Sequence, residues 1–402
     1  MTDLTNGFIP GSGSLEYTRE LFKRVEVEGY RSGLPARKRV SELYEQVGLA
    51  KAFKGVTTNG ELQPGLYCIQ PTGISTEPVR LVAIAFLDSL TPQLRQKVLY
   101  KVDDIKWRRW MNQAFYVRDG LGFEEMDYTQ REAALNLLRT SLSTRGYQLS
   151  RDIMRLNHTL GELNDDDFEL YGEWKYWFAV MGTPSRDKPW GWQLDGHHLI
   201  INYFVLGDQV VMTPFFIGTE PSIATSGKYK GHSVMQVEQD QGLALIRTLT
   251  QEQRQIAILQ SEKFDNYSLS EAFNDNLVLD YAGIPVSKLS SQQRTHLLEL
   301  IKLYIENMDT GHARVRMDEV TAHLNETYFA WIGGLETDAL FYYRVQSPVI
   351  LIEFDHQIPV GISHQVDPHM PIRQHIHAIV RTPNGNDYGA DLLRQHYELH
   401  SH

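Results

Sequence analysis

The chain has 402 residues, 42% of them hydrophobic and 22% charged, a balance that excludes disorder and fibre and allows a sizeable core. Fifty acidic residues stand against 39 basic ones, for a formal net charge of −11, so phosphate backbones are repelled and no nucleic-acid partner is expected. The one cysteine, Cys68, excludes an intrachain disulfide and a Cys-rich zinc site, which leaves His and carboxylates as metal donors.

The start, Met-Thr-Asp-Leu-Thr-Asn-Gly, lacks the basic and then apolar stretch of a secretory signal. The longest apolar run, Leu81 to Leu87, falls far short of the ~20 residues that span a bilayer. A cytoplasmic protein without a membrane partner is expected. Residues 1–80 are left unassigned, and residues 81–402 are read as one domain.

In chain order, Leu81 to Phe86 reads as a strand. Thr91 before Pro92 and Thr129 with Glu132 read as helix starts, each offering a side chain to the free amides of a first turn. Between them, Lys106, Arg108 and Arg109 alternate with Trp107 and Trp110, as expected of a helix packing its aromatics inward. His198 to Leu206 and Gln209 to Phe216 read as strands joined by a hairpin at Gly207-Asp208. Thr250 with Gln253 and Ser290 with Gln293 repeat the helix-start device. The recurring Leu-Thr or Leu-Ser starts at Leu90, Leu249 and Leu289 are spaced too unevenly for a solenoid. Phe341 to Val345, Val349 to Phe354 and His375 to Val380 predict an antiparallel meander, with Gly361 to Arg373 looping over its edge and a closing helix carrying His396. The fold class is α+β, antiparallel sheet segments with interspersed helices, in one large composite domain.

Fifteen histidines are present, and their placement suggests chemistry. In His375-Ile376-His377 the two imidazoles share one face of a strand, which suits two ligands on one metal. Arg381 continues that face, where its fork suits a substrate carboxylate; the alternative is a salt bridge to Asp387 or Asp391. Glu353, inside an apolar run, needs a cation, which a metal or Arg344 supplies. Upstream, Trp190-Gly-Trp-Gln-Leu-Asp-Gly-His-His-Leu199 brings His197 and His198, which point to opposite faces if they enter a strand. His198 shares its face with Asn202, and His197 is the more buried by pattern. Phosphate-loop, dinucleotide and nucleophile-elbow templates are absent.

These blocks, together with Phe178-Ala-Val-Met-Gly-Thr-Pro-Ser185, Thr213 to Pro221, Gly231 to Glu238, Asp387-Tyr-Gly389 and Asp391-Leu-Leu-x-x-His396, resemble the signature of a widespread uncharacterised family known only as a domain of unknown function. The resemblance implies one composite domain in which both histidine blocks belong together. It carries no activity.

The expected function is a metalloenzyme with one first-row metal on His375, His377, His198 or His197, and Glu353. Trp190, Trp192 and Tyr388 would wall an aromatic pocket, Arg381 and Tyr388 serving catalysis. Iron or copper would oxidise a small acidic or aromatic molecule. The alternatives are a zinc hydrolase with Glu353 or Asp195 as general base, and a non-catalytic small-molecule-binding protein.

Overall fold

A computed structural model of the protein describes residues 34–400; the earlier part of the unassigned N-terminal region and His402 lie outside the described residues. Thirteen strands form one sheet: β1 (Leu99–Tyr100), β2 (Leu121–Gly122), β3 (Tyr176–Met181), β4 (Trp190–Gly196), β5 (Leu199–Leu206), β6 (Gln209–Val211), β7 (Phe215–Thr219), β8 (Ile258–Gln260), β9 (Ile284–Pro285), β10 (Tyr328–Gly333), β11 (Phe341–Gln346), β12 (Leu351–His356) and β13 (Ile376–Arg381). The α+β class holds, and the predicted meander is β11, β12 and β13.

The sheet runs β1-β3-β4-β5-β7-β13-β12-β11-β10-β8, an order that reads alike from both ends. Helix Glu77–Ser89, a short helix at Pro92–Val98 and β1 lead one half; helix Gln236–Thr248, a short helix at Gln251–Ala257 and β8 lead the other. The opening strands β1 and β8 pair parallel to β3 and β10, and β2 and β9 pair antiparallel to the same two. Leu90 and Leu249 therefore occupy the same joint in two matching halves. Leu289 precedes a different helix, Ser291–Ile305, so the uneven spacing reflects two matching joints and one unrelated start. The halves meet where β7 pairs antiparallel with β13.

Local chemistry accounts for the element ends. Thr91, Thr250 and Ser290 each accept from a first-turn amide, the latter two in complete capping boxes with Gln253 and Gln293. The helix expected at Thr129 starts instead from Asp127, boxed with Gln130. The run Leu81 to Phe86 lies in a helix, not a strand: Pro78 stands in its first turn, and the buried Val79, Ala83, Phe86 and Leu87 recur at helical spacing while Leu81 is exposed. The stretch expected as one strand from Gln209 splits into β6 and β7 around Pro214, which offers no ladder N–H.

One sheet face meets the helices: Phe178 packs on Phe86 with centroids 5.7 Å apart, and Tyr343 hydrogen-bonds to Tyr304 of helix Ser291–Ile305. Irregular segments cover the other face, with Trp107 on Phe204 and Trp110 on Phe216, so the basic cluster does turn its indoles inward. The first described helix, Leu34–Gly48, joins this body through Tyr44, which packs on Phe115 and Phe273. Among the described residues no helix is long and apolar enough to cross a membrane.

Candidate metal centre

His197 and His198 form the two-residue loop of the β4–β5 hairpin, since Gly196 pairs directly with Leu199. His198 takes a left-handed φ of 61°, a conformation that costs a non-glycine residue ~1–2 kcal/mol. Its backbone is fixed from both sides: the His198 N–H donates to Asn112 O, and its carbonyl accepts from Gly218 N–H. Gly218 lies opposite His377 in the β7–β13 register, so it separates His198 from His377 on the non-helical face. A Cβ there would stand 3.1 Å from His198 Cδ2, 3.2 Å from His377 Cδ2 and 2.7 Å from Ile376 O. The missing side chain is what lets the two imidazoles converge.

His198, His375 and His377 each offer a ring nitrogen, and the three atoms lie within 4.8 Å of one another. His375 Nε2 and His377 Nε2 stand 3.1 Å apart; two nitrogens each ~2.0–2.1 Å from one tetrahedral ion would be separated by about 3.4 Å. His375 Nδ1 is 2.8 Å from Ile358 O, a carbonyl that only accepts, so Nδ1 carries the hydrogen. His377 Nδ1 is 2.8 Å from Glu271 Oε1. Burial works against ionisation of Glu271, but His377 and the hydrogen bonds outweigh it, holding the carboxyl below its ordinary range. Nδ1 of His377 is therefore also the donor. Neutral rings of this tautomer would turn their Nε2 lone pairs to each other.

Burial pushes His375 down to about 4, against the opposing charge of Glu220, and burial, reinforced by His197, takes His198 well below its ordinary value. Neutral imidazoles are the form that binds metal. A cavity of about 180 Å³ opens beside His375 and His377, lined also by Glu271, Asn112 and Tyr44.

Of the paired histidines, it is His198 whose ring nitrogen lies with those of His375 and His377. His197 Nδ1 is 2.7 Å from Asn157 Oδ1, so the ring that pattern marked as buried is satisfied by a helix side chain, and it stacks on His198 with centroids 3.8 Å apart.

Several residues expected at the site have other partners. Glu353 lies on the correct face, but its carboxylate accepts from Leu269 N–H, Ser270 N–H, the Ser270 hydroxyl and Tyr342 Oη. Four donors satisfy the buried charge that seemed to need a cation. Arg344, opposite it in register, donates to Asp280 O. Arg381 spends its fork inside the protein: it donates to Ser270 O and Glu271 O and pairs with Asp275 and Asp387 at 3.0 and 2.9 Å. The expected tie to Asp387 is present, and no donor is directed at a substrate. Asp195 pairs with Arg118 at 3.0 Å, both buried. Tyr388 Oη accepts from Trp110 Nε1 and donates to Asp275. Trp190 and Trp192 project to the helical face, Trp192 stacking on Tyr203 at 5.2 Å. None of these lines the cavity.

Glu353 and Arg381 instead serve the centre at one remove. Glu353, Arg381 and Asp355 hold the strap 267–271, Asp355 through Tyr267 N–H and Ser268 N–H, and the strap carries Glu271 to His377. Glu271 was not foreseen, because it lies in an irregular segment with no periodicity and meets His377 only through the tertiary fold. Gly218 had a signal, a glycine inside an apolar strand run. Glu271→Gln should lower metal affinity by ~10–100-fold with the fold retained, the usual cost of losing an orienting partner; competition with a chromogenic chelator measures it.

The fold and site thus define a single α+β body with a buried three-histidine centre on its non-helical face. The chain belongs to the family described as protein of unknown function, DUF3500, which matches residues 72–390. No curated protein and no solved structure matches it.

Proposed function

We propose that the protein is a metal-dependent enzyme that holds one divalent first-row ion on His198, His375 and His377 and acts on a small molecule in the adjoining cavity. The observation that carries this reading is the 3.1 Å approach of His375 Nε2 to His377 Nε2, with both Nδ1 atoms already donating elsewhere. A proton shared by the two rings would use only this pair, whereas an ion also uses the ring nitrogen of His198, which lies within 4.8 Å of both. Three buried imidazoles would leave the fourth position of a tetrahedral ion to water or substrate, as catalytic rather than closed structural sites do.

Zinc-type water activation fits the donor set best. Three neutral imidazoles leave the ion its full charge, which lowers the pKa of a bound water towards ~7 and yields a nucleophile at neutral pH. The expectation of iron-dependent oxidation leaned on a carboxylate ligand, and Glu353 is engaged with the strap. Elemental analysis of untagged protein tests the reading, with about one zinc per chain expected. Stoichiometric copper or iron would redirect it to oxidation, and failure to retain zinc, copper or iron(II) after loading and dialysis would overturn it.

A further inference from the structure

The cavity's own chemistry points to a ligand class. Its volume of about 180 Å³ is below the ~300–1,000 Å³ of sites for drug-sized ligands. Among the described residues no lysine or arginine lines it; the polar wall includes Asn112, Asn266, Asn274 and Gln357 beside the carboxylates Asp265 and Glu271. Away from the histidines, a carboxylate or phosphate entering here meets the Glu271 carboxylate and, among the described residues, no side-chain cation.

Three of the amides are fixed at one end by the protein. Asn112 Nδ2 donates to Glu271 at 3.1 Å, Gln357 Nε2 donates to Asp355 at 2.6 Å, and Asn266 Oδ1 accepts from Ile358 N–H at 2.8 Å. The other end of each has no partner among the described residues: two carbonyl oxygens and one NH₂ group. A hydroxyl both donates and accepts, so it pairs with either kind of end, whereas an anion only accepts. Met111, Ile358 and Val360 supply an apolar side to the same space.

We infer that the cavity binds a small, neutral, polyhydroxylated molecule of monosaccharide size; that one of its hydroxyls faces the ion rests on the metal-centre reading above. The opposite preference, for an acidic substrate, required Arg381 in the wall, and that side chain is fully engaged behind the strap.

The test is calorimetric titration of the full chain with D-glucose and with D-glucuronate, a pair of equal ring size that differs by one carboxylate, on wild type and on Asn274→Lys. Glucose should bind at least about tenfold tighter than glucuronate to wild type. Asn274→Lys, which adds a cation to the wall, should narrow or reverse that ratio at unchanged metal content. Equal or tighter binding of glucuronate by wild type, or heat from neither probe, would overturn the inference. Elemental analysis of the same samples separates the two readings: a preference for glucose in protein that retains no metal discards the metal centre alone, and metal-loaded protein without that preference discards the ligand class alone.

Discussion

His375→Ala and His377→Ala are each expected to reduce bound metal from about one ion per chain to less than ~0.1 after dialysis, with far-ultraviolet circular dichroism unchanged. Removing one imidazole from three leaves two protein ligands, too few to compete with water and buffer. The fold should survive because the hydrophobic core is formed mainly elsewhere, by residues such as Trp331, Phe341 and Phe354. His198→Ala should have the same effect on metal with no compensating gain in stability, since alanine at a left-handed φ is no better placed than histidine, whereas His198→Gly relieves the strain. Retention of stoichiometric metal in all three alanine variants would show that the ligands lie elsewhere.

The largest loss of stability should follow Arg381→Met. Arg381 is fully buried between Asp275 and Asp387, so its removal leaves Asp387 without its buried cation, leaves Asp275 to Arg108 alone, and frees the carbonyls of Ser270 and Glu271. Breaking such a pair typically costs ~3–5 kcal/mol. A urea melt of metal-free protein should show that loss, and metal affinity should fall with it as the strap under Glu271 loosens. Arg381→Lys should recover part of the stability, because the charge remains while the fork that reaches two carboxylates and two carbonyls does not. An unchanged melt with a raised KM would instead place Arg381 at the substrate.

Sequence patterning made one half of the centre legible. Strand parity set His375, His377, Glu353 and Arg381 on a common face; the structure keeps the last three there, and His375, in the bend just before β13, brings its ring to His377. What parity does not encode is the covering layer. Whether Glu353 meets a metal, Arg344 or a row of backbone amides depends on a strap more than 80 positions away in the chain, and no periodicity marks that strap. The same limit applied to His197 and His198: strict alternation assumes extended backbone, and the left-handed φ of His198 breaks it. Trp190 and Trp192 fell to parity misapplied, since their strand alternates too and turns both indoles to the helices. Capping boxes were read well because Thr250 with Gln253 and Ser290 with Gln293 are complete within four residues. The matching halves were hidden because they share an order of elements more than a spelling.

That palindromic order has a consequence for how the centre is held. His198 and Gly218 come from the first half, while His375, His377 and Glu271 come from the second, and the two sets face each other only where β7 meets β13. The chain is in effect a dimer folded from one polypeptide, its seam playing the part of a two-fold interface at a local concentration that dilution cannot lower. An ion bound by both sides acts as a rivet across that seam: separating the halves would release it, so each tenfold excess of metal over its dissociation constant adds about 1.4 kcal/mol to their cohesion. Covalent linkage also frees the halves from having to be alike, so one has been able to keep two of the donors while the other keeps the bare glycine that makes room for them.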